Sequence, residues 1–294
     1  MKIAIIGSGD VGRCYAEAFN AAGHSVAHLC DSAPRQSIIE FASDISAQLH
    51  SEPGPWLGEA DLIVSAVFGG VALGVAEKAL PFVRQDAIYA DFTTGSANDL
   101  CAASQLASQA GVRFVDVAIV GAISISGAKT PLLCAGPASQ DIIKVMSGVG
   151  APIHEVGSQA GDAVSLKLLR SVFTKGMEAL AVECLLAAEQ RGLRTELYDV
   201  LSDLDQIPIR KFMEVSVTTH VRHAGRRLAE VREASQQLTN EGVSPLALAG
   251  VEQRFQTTSA AINRSPLAAE PTVENSLAWL YESQEDAASP NNAS

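Results

Sequence analysis

Basic side chains are scarce in this sequence: 21 Lys and Arg stand against 33 Asp and Glu, for a formal charge of −12. No basic stripe relieves that imbalance, which argues against nucleic acid or an anionic membrane as a partner. Long apolar runs are missing too. No stretch of eighteen apolar residues occurs, so no membrane span is expected. Nor is a cleavable leader expected, since Met1-Lys2 runs straight into the first strand-like segment. The five cysteines, Cys14, Cys30, Cys101, Cys134 and Cys184, are odd in number and scattered. They form neither a CxxC pair nor a disulfide framework and read as buried thiols in a reducing compartment. The expectation is a cytoplasmic protein. With 47% hydrophobic and 18% charged residues over 294 positions, the chain has the material for one or two ordinary cores.

What the chain does have begins at its second residue. Ile3 to Ile6 is an apolar run of buried-strand length. Gly7-Ser8-Gly9-Asp10-Val11-Gly12 follows and fits G-x-G-x-x-G, and an amphipathic stretch from Val11 to Ala22 ends at Gly23, a helix stop. A second apolar segment, Val26 to Leu29, leads into Cys30-Asp31. In this strand–turn–helix–strand setting Gly7 permits the tight turn, Gly9 lets backbone approach a pyrophosphate, and Gly12 lets the helix pack on the strand. The helix N-terminus then faces the phosphates. An acid about 20 positions further on accepts a hydrogen bond from the adenosine ribose, a role that falls to Asp31. Gly7, Ser8, Gly9, Asp10, Val11, Gly12 and Asp31 are therefore expected to hold a dinucleotide. Asp31 repels a 2′-phosphate and favours NAD, whereas Ser32 and Arg35 just beyond it provide for NADP if Asp31 turns away.

Strand-like and helical segments then alternate. Pro34 to Leu49 has helical spacing, Asp61 to Val67 is strand-like, Val71 to Leu80 helical, and Ala87 to Asp91 strand-like again. A polar loop, Thr93 to Ser96, precedes a helix from Asn98 to Ala110, with Ser96 or Asn98 as its N-cap. Arg113 to Ile119, Pro131 to Ala135 and Pro152 to Val156 complete the strands. Such alternation predicts an α/β fold with a parallel, doubly wound Rossmann sheet. Ligands gather beyond the strand C-termini of such sheets, so Ser65, Ala66, Val67 and Thr93 are expected to join the glycine-rich turn around the cofactor. From Gly161 the strands cease. Asp162 to Arg191 is one helical pattern, roughly 45 Å long, followed by helical stretches at Thr195–Asp203, Ile209–Leu238, Ala247–Ile262 and Thr272–Gln284. The expected organisation is a dinucleotide-binding domain over 1–160, an all-α substrate and dimerisation domain over 161–284, and a frayed tail over 285–294.

On the long helix Lys167, Arg170, Ser171 and Thr174 share one face at i, i+3, i+4 and i+7. The rest of that helix is largely Leu, Val, Ala and Phe, which reads as a buried helix with a polar stripe. The stripe faces either solvent, an interface, or the cofactor crevice. In the last case Lys167 passes a proton to or from a substrate hydroxyl while hydride moves to the nicotinamide, its pKa lowered by partial desolvation. Ser171 then orients the ammonium or the substrate.

At these residues the sequence resembles the β-hydroxyacid dehydrogenases, relatives of 6-phosphogluconate dehydrogenase. Four matches carry the resemblance: the N-terminal GSGDVG; Asp116-Val-Ala-Ile-Val-Gly121-Ala122, similar to the family's D-x-P-V-S-G-G; Gly127 to Gly136, similar to the strand after it; and Gly157 to Ser171, similar to the approach to the catalytic lysine. The resemblance implies Lys167 as general acid/base, Ser171 as its helper, and Val120, Gly121 and Ala122 as the substrate loop, with Arg170 and Thr174 beside it. It also implies a homodimer. Departures are informative. Ser171 stands for the family's Asn, Val120 for its Ser and Ala122 for its second Gly, and Thr174 replaces the acidic proton donor of 6-phosphogluconate dehydrogenase. The pocket is expected to be drier than in relatives, and decarboxylation of that sugar acid is argued against.

The expected activity is hydride transfer between NAD or NADP, NAD favoured, and a small 3-hydroxy acid or related hydroxyl compound. Two alternatives stand beside it: an imine reductase-like NADPH-dependent reductase, and a non-catalytic NAD(P)-binding sensor. His220, His223 and Arg226 belong to a basic cluster on a later helix, with Arg226 or His223 a candidate contact for a substrate carboxylate. No metal is expected there, because the two histidines have no acidic or cysteine partner at ligand spacing.

Overall fold

The computed structural model describes residues 1–288. It divides into two compact units, the first Met1–Ser171 and the second beginning at Val172. The first unit opens with β1 (Lys2–Ile6), α1 (Asp10–Ala21), β2 (Ser25–Cys30), α2 (Gln36–Asp44), β3 (Gln48–His50), β4 (Leu62–Ser65), α3 (Ala72–Ala79) and β5 (Ile88–Asp91). It continues with α4 (Ala97–Gln109), β6 (Arg113–Ile119), α5 (Ile123–Ser126), β7 (Leu132–Ala135), α6 (Ser139–Val149) and β8 (Ile153–Gly157). The eight strands form one sheet in the order β3-β2-β1-β4-β5-β6-β7-β8. Every pair is parallel except β6–β7. The expected Rossmann-like α/β fold is present, with that antiparallel pair as a correction to an all-parallel reading.

Both faces of the sheet are covered, which is why its strands read as continuous apolar runs rather than alternating ones. One face sends Ile3, Ile5, Leu29, Val64 and Val115 against Tyr15 and Phe19 of α1 and Ile142 and Met146 of α6. The other sends Ala4, Ile6, Ile63, Tyr89 and Phe114 against Ala76 of α3 and Leu100 and Ala103 of α4. Ile3, Ile5, Tyr15, Phe19 and Tyr89 are all fully buried. Truncating any of them to Ala would cost about 2–5 kcal/mol.

Two further differences from the sequence reading have physical reasons. The helix expected over Pro34–Leu49 stops at Asp44, because Ser46 takes a positive φ of 58° and the chain reverses into the edge strand β3. The helix α6, absent from the pattern reading, is closed by Gly150 in the left-handed region. Ser96 is the N-cap of α4, accepting from Asp99 N at 3.1 Å.

The long helix α7 (Asp162–Arg191) has the bounds expected of it, and its residues after Ser171 belong to the second unit. It is only partly buried: Ala163 and Val164 are fully buried, whereas Leu169 is 66% exposed and Val172 74%. Burial of its apolar residues was inferred from composition, and within one chain they have too few neighbours. The second unit continues with α8 (Arg194–Leu201), α9 (Ile209–Asn240), α10 (Leu246–Arg264) and α11 (Val273–Ala288), with Val221, Ala224 and Ala261 buried in its interior. Residues 285–288, read from sequence as the start of the frayed tail, continue α11; 289–294 lie outside the described residues. Only Cys30 and Cys134 are buried, whereas Cys101 and Cys184 are exposed. No described helix is long and apolar enough to cross a membrane.

Candidate dinucleotide cleft and lysine site

The first strand delivers its chain to a turn only glycine can make. Gly7 sits at φ +99°, with its N–H bonded to Cys30 O at 2.8 Å. A Cβ on Gly7 would lie 2.4 Å from Ala66 O, and one on Gly12 would lie 1.9 Å from Gly7 O. Around Gly9, by contrast, a Cβ would meet nothing within 4 Å. Two glycines are thus needed by packing and the third leaves backbone approachable, the division expected of a pyrophosphate cradle at the start of a helix.

A cleft of about 700 Å³ opens there, lined in part by Ser8, Gly9, Asp10, Val11, Asp31 and Arg35. Gly7, Ala66 and Val67 also line it. Asp31 Oδ1 accepts from Ala33 N at 3.0 Å, which folds the Asp31 carboxylate onto its own turn and leaves its second oxygen. Ser32, Ser37 and Arg13 share the lining. Arg13 is tied to Asp10 at 2.9 Å, while the Arg35 guanidinium has no ion-pair or hydrogen-bond partner among the described residues. The cradle, its open middle glycine and these polar groups fit a dinucleotide.

Three predicted cofactor residues are not in that lining. Gly12 packs beneath the turn. Ser65 is fully buried at the end of β4, in register with Asp91 of β5. Thr93 is 2% exposed and gives both its N–H and its hydroxyl to Asp91 Oδ1, at 2.8 and 2.5 Å. Its neighbour Thr94 is the residue that turns outward.

Lys167 donates from Nζ to Thr94 Oγ1. Burial lowers the Lys167 pKa, and the negative charge of Asp116 partly opposes that shift. Asp116 itself is fully buried on β6, and its Oδ2 accepts from Gly161 N and Val164 N, each at 3.0 Å. The carboxylate therefore caps the start of α7 and fixes the turn that carries Lys167. Gly161 is required by this arrangement: it lies at φ +99°, and a Cβ would stand 2.9 Å from Ala97 O.

Ser171 donates from Oγ to the Lys167 carbonyl one turn back, at 3.1 Å. Val120 is half-buried, and Gly121 and Ala122 are exposed where the chain leaves β6. Gly121 has φ +153°, and a Cβ there would lie 2.9 Å from Thr130 Cγ2. Arg170 is exposed on α7, and Thr174 lies on the part of that helix belonging to the second unit. In the basic cluster His220 bonds Thr258 Oγ1 at 2.9 Å and packs edge-on to Phe255. Arg222 pairs with Glu270, and Arg226 with Glu230.

The sequence places the loop Thr93–Ser96 at the crevice and Asp116 at the head of the substrate motif, but assigns no individual role to Thr94, Asp91 or Asp116. A signal was available: Asp91 ends an otherwise apolar strand, a position from which α/β sheets address ligands, and Asp116 is a lone acid within the apolar run of β6.

Comparison with known proteins agrees with this geometry. Residues 2–157, more than half of the chain, match the family model described as the NAD binding domain of 6-phosphogluconate dehydrogenase. Residues 188–258 match a domain of unknown function, DUF1932. An uncharacterized 28.5 kDa protein from the 7S RNA 5′ region of Methanothermus fervidus is 25% identical over 256 residues, covering 87% of this chain and 98% of the relative. Among solved structures, the conserved protein MTH1747, of unknown function and described as structurally similar to 3-hydroxyacid dehydrogenases, is 28% identical. Its TM-score is 0.62, with 88% of this chain and 97% of that one covered. An imine reductase variant from Myxococcus stipitatus in complex with NAD+ shares the fold, with a TM-score of 0.75 at 16% identity over 95% of this chain and 99% of that one. The chain thus belongs to the family that carries the NAD binding domain of 6-phosphogluconate dehydrogenase, here combined with a C-terminal DUF1932 domain.

Proposed function

We propose that this protein is an NAD(P)-dependent oxidoreductase that moves hydride between nicotinamide and a small 3-hydroxy acid or related hydroxyl compound, with Lys167 as general acid/base. One observation carries the reading: a half-buried lysine, its pKa lowered by burial, is held on Thr94 in the unit that contains the dinucleotide cleft. The nicotinamide, when bound, accepts or donates the hydride. Lys167 takes up or returns the hydroxyl proton, and its depressed pKa brings that exchange toward neutral pH. Thr94 restrains the ammonium, while Val120, Gly121 and Ala122 form the substrate loop. NAD is the favoured cofactor because Asp31 lines the cleft, and Arg35 is the residue that admits a 2′-phosphate.

In this reading residues 1–160 bind the dinucleotide and 161–284 serve substrate binding and dimerisation. A homodimer is supported by the exposed apolar side chains of α7, Leu169, Val172 and Val182 among them, which a second copy would cover. The setting is cytoplasmic.

The test is a panel of short 3-hydroxy acids with NAD and with NADP, read as reduced nicotinamide, on wild type and Lys167→Met. The expected result is turnover on at least one acid that falls at least a hundredfold in the variant, with NADH fluorescence titrations unchanged. A fully active variant overturns the mechanism. Reduction of C=N is the second reading, favoured by Val120 where the family has a hydroxyl. Turnover of cyclic imines with NADPH and of none of the hydroxy acids would establish it. Cofactor binding with neither activity would leave the sensor reading.

A further inference from the structure

We propose that Asp116, paired with Asp91, is a positioning residue for Lys167: the two carboxyl groups hold one proton between them, and the single negative charge that remains retains the Lys167 ammonium. The role given to Lys167 rests on the function proposed above. The geometry does not.

Asp91 and Asp116 are register partners on the neighbouring parallel strands β5 and β6, which lie about 4.8 Å apart. Both are fully buried. Each uses one oxygen and leaves the other. Asp91 Oδ1 takes the Thr93 N–H and hydroxyl, and Asp116 Oδ2 takes the N–H groups of Gly161 and Val164. Asp116 Oδ1 is buried with no protein partner among the described residues, and beside the buried Asp91 Oδ2 stands the Ser65 hydroxyl, a hydrogen-bond donor that opposes the rise in the Asp91 pKa. Two carboxylates this close in a dry site cannot both stay ionised cheaply. A proton on one makes it a donor to the other across the register pair, which gives Asp116 Oδ1 a partner.

The surroundings leave this pair as the acidic centre. Ser65 faces Asp91 from β4, and Tyr89 of β5 is held neutral by burial. Cys134 of β7 is pushed up to about 11, first by burial. Cys101 of α4 donates to Ala160 O. From the start of α7 come Asp162, which accepts from Gln159 N, and the cation Lys167. Burial pushes both Asp91 and Asp116 up to about 6, against their hydrogen bonds, and for Asp116 the charge of Asp91 adds to the rise.

The two acids have opposite predicted effects on Lys167. Asp116→Asn keeps an oxygen for Gly161 and Val164 but removes the charge that sustains the ammonium. Asp91→Asn leaves Asp116 ionised. The experiment is competitive acetic anhydride labelling of the full chain across pH, with Lys167 acetylation read by mass spectrometry. Asp116→Asn should lower the labelling midpoint by at least about one pH unit, a tenfold change, and Asp91→Asn should leave it unchanged or raise it. A midpoint unmoved in Asp116→Asn, or lowered equally in both variants, overturns the proposal. Should Asp116→Asn not fold, infrared spectra decide: the carbonyl stretch of a protonated carboxyl should persist up to about pH 6 in wild type, above the ordinary carboxylate range, and vanish there in Asp91→Asn. Its absence from wild type overturns the shared proton. Neither readout uses turnover, so loss of the proposed activity and loss of the pair are distinguishable.

Discussion

A Cβ on Gly12 would stand 1.9 Å from the carbonyl oxygen of Gly7. Helix α1 can approach β1 as it does only because position 12 has no side chain, and that approach holds the turn before the helix in shape.

Substitutions at two glycines of the turn should therefore separate folding from binding. Gly12→Val meets backbone that cannot move aside, and overpacking of this kind costs about 1–3 kcal/mol or more. A lowered Tm and lost cofactor binding are expected together. Gly9→Ala meets nothing within 4 Å, so its Tm should match wild type while NADH affinity falls at least about tenfold, since the methyl group occupies space the pyrophosphate needs. Differential scanning calorimetry beside fluorescence titration reads both effects. Unimpaired binding in Gly9→Ala would mean the cofactor lies elsewhere.

Cofactor choice depends on Asp31 and Arg35, which line one cleft with opposite charges. Arg35→Ala should weaken NADPH by about tenfold or more, the scale of a charge-assisted hydrogen bond, and leave NADH within about twofold. Asp31→Asn should move the NADPH to NADH affinity ratio the other way. Calorimetric titration of both nucleotides into both variants checks the sign. Equal losses for the two nucleotides in Arg35→Ala would remove it from the phosphate role.

A second titrating feature lies where β2 and β3 adjoin. His50 stacks on Trp56 with ring centres 4.2 Å apart and planes 6° apart, and its Nε2 lies 3.1 Å from His28 Nδ1. Burial, then the charge of His28, lowers the His50 pKa. The folded state thus prefers neutral His50. The associated stability is present above the unfolded value of about 6.5 and is lost as pH falls below it. In a Trp279→Phe background, which leaves Trp56 as the lone indole, fluorescence should drop only below that ordinary histidine range as imidazolium forms against the ring. His50→Gln should abolish the drop. A midpoint at or above the ordinary value would contradict the stack as described.

In the second unit Glu183 is 7% exposed, and its two oxygens accept the N–H groups of Ala247 and Leu248 at the start of α10. Those donors have no partner within the helix. Glu183→Ala should cost about 1–3 kcal/mol and Glu183→Gln less, because the amide keeps one acceptor. Urea unfolding midpoints decide it. An unaffected Glu183→Ala would show that water replaces the cap without penalty.

Local rules decided much of this protein. Gly7, Gly9 and Gly12 between two apolar runs determine a phosphate-facing turn, because few other residues tolerate the positive φ at Gly7 or the contact at Gly12. The thirty-residue pattern of α7, uninterrupted from Asp162 to Arg191, determined its bounds for a similar reason: nothing inside it breaks a helix. Short elements were less legible. Three-residue β3 has too few positions to show a period, and the antiparallel entry of β7 leaves no mark on an apolar run that is buried either way. Polar residues at strand ends divided along the same line. Thr93 and Thr94 are indistinguishable by type, yet one is turned inward to Asp91 and the other outward to Lys167. The pairing of Asp91 with Asp116 depends on sheet register across positions 25 residues apart. What the sequence by itself determined was therefore conformation, where sterics and periodicity act within a few residues. Which buried acid meets which strand, and which hydroxyl meets the lysine, was decided only by the tertiary structure, because electrostatic partners are chosen by packing between distant segments.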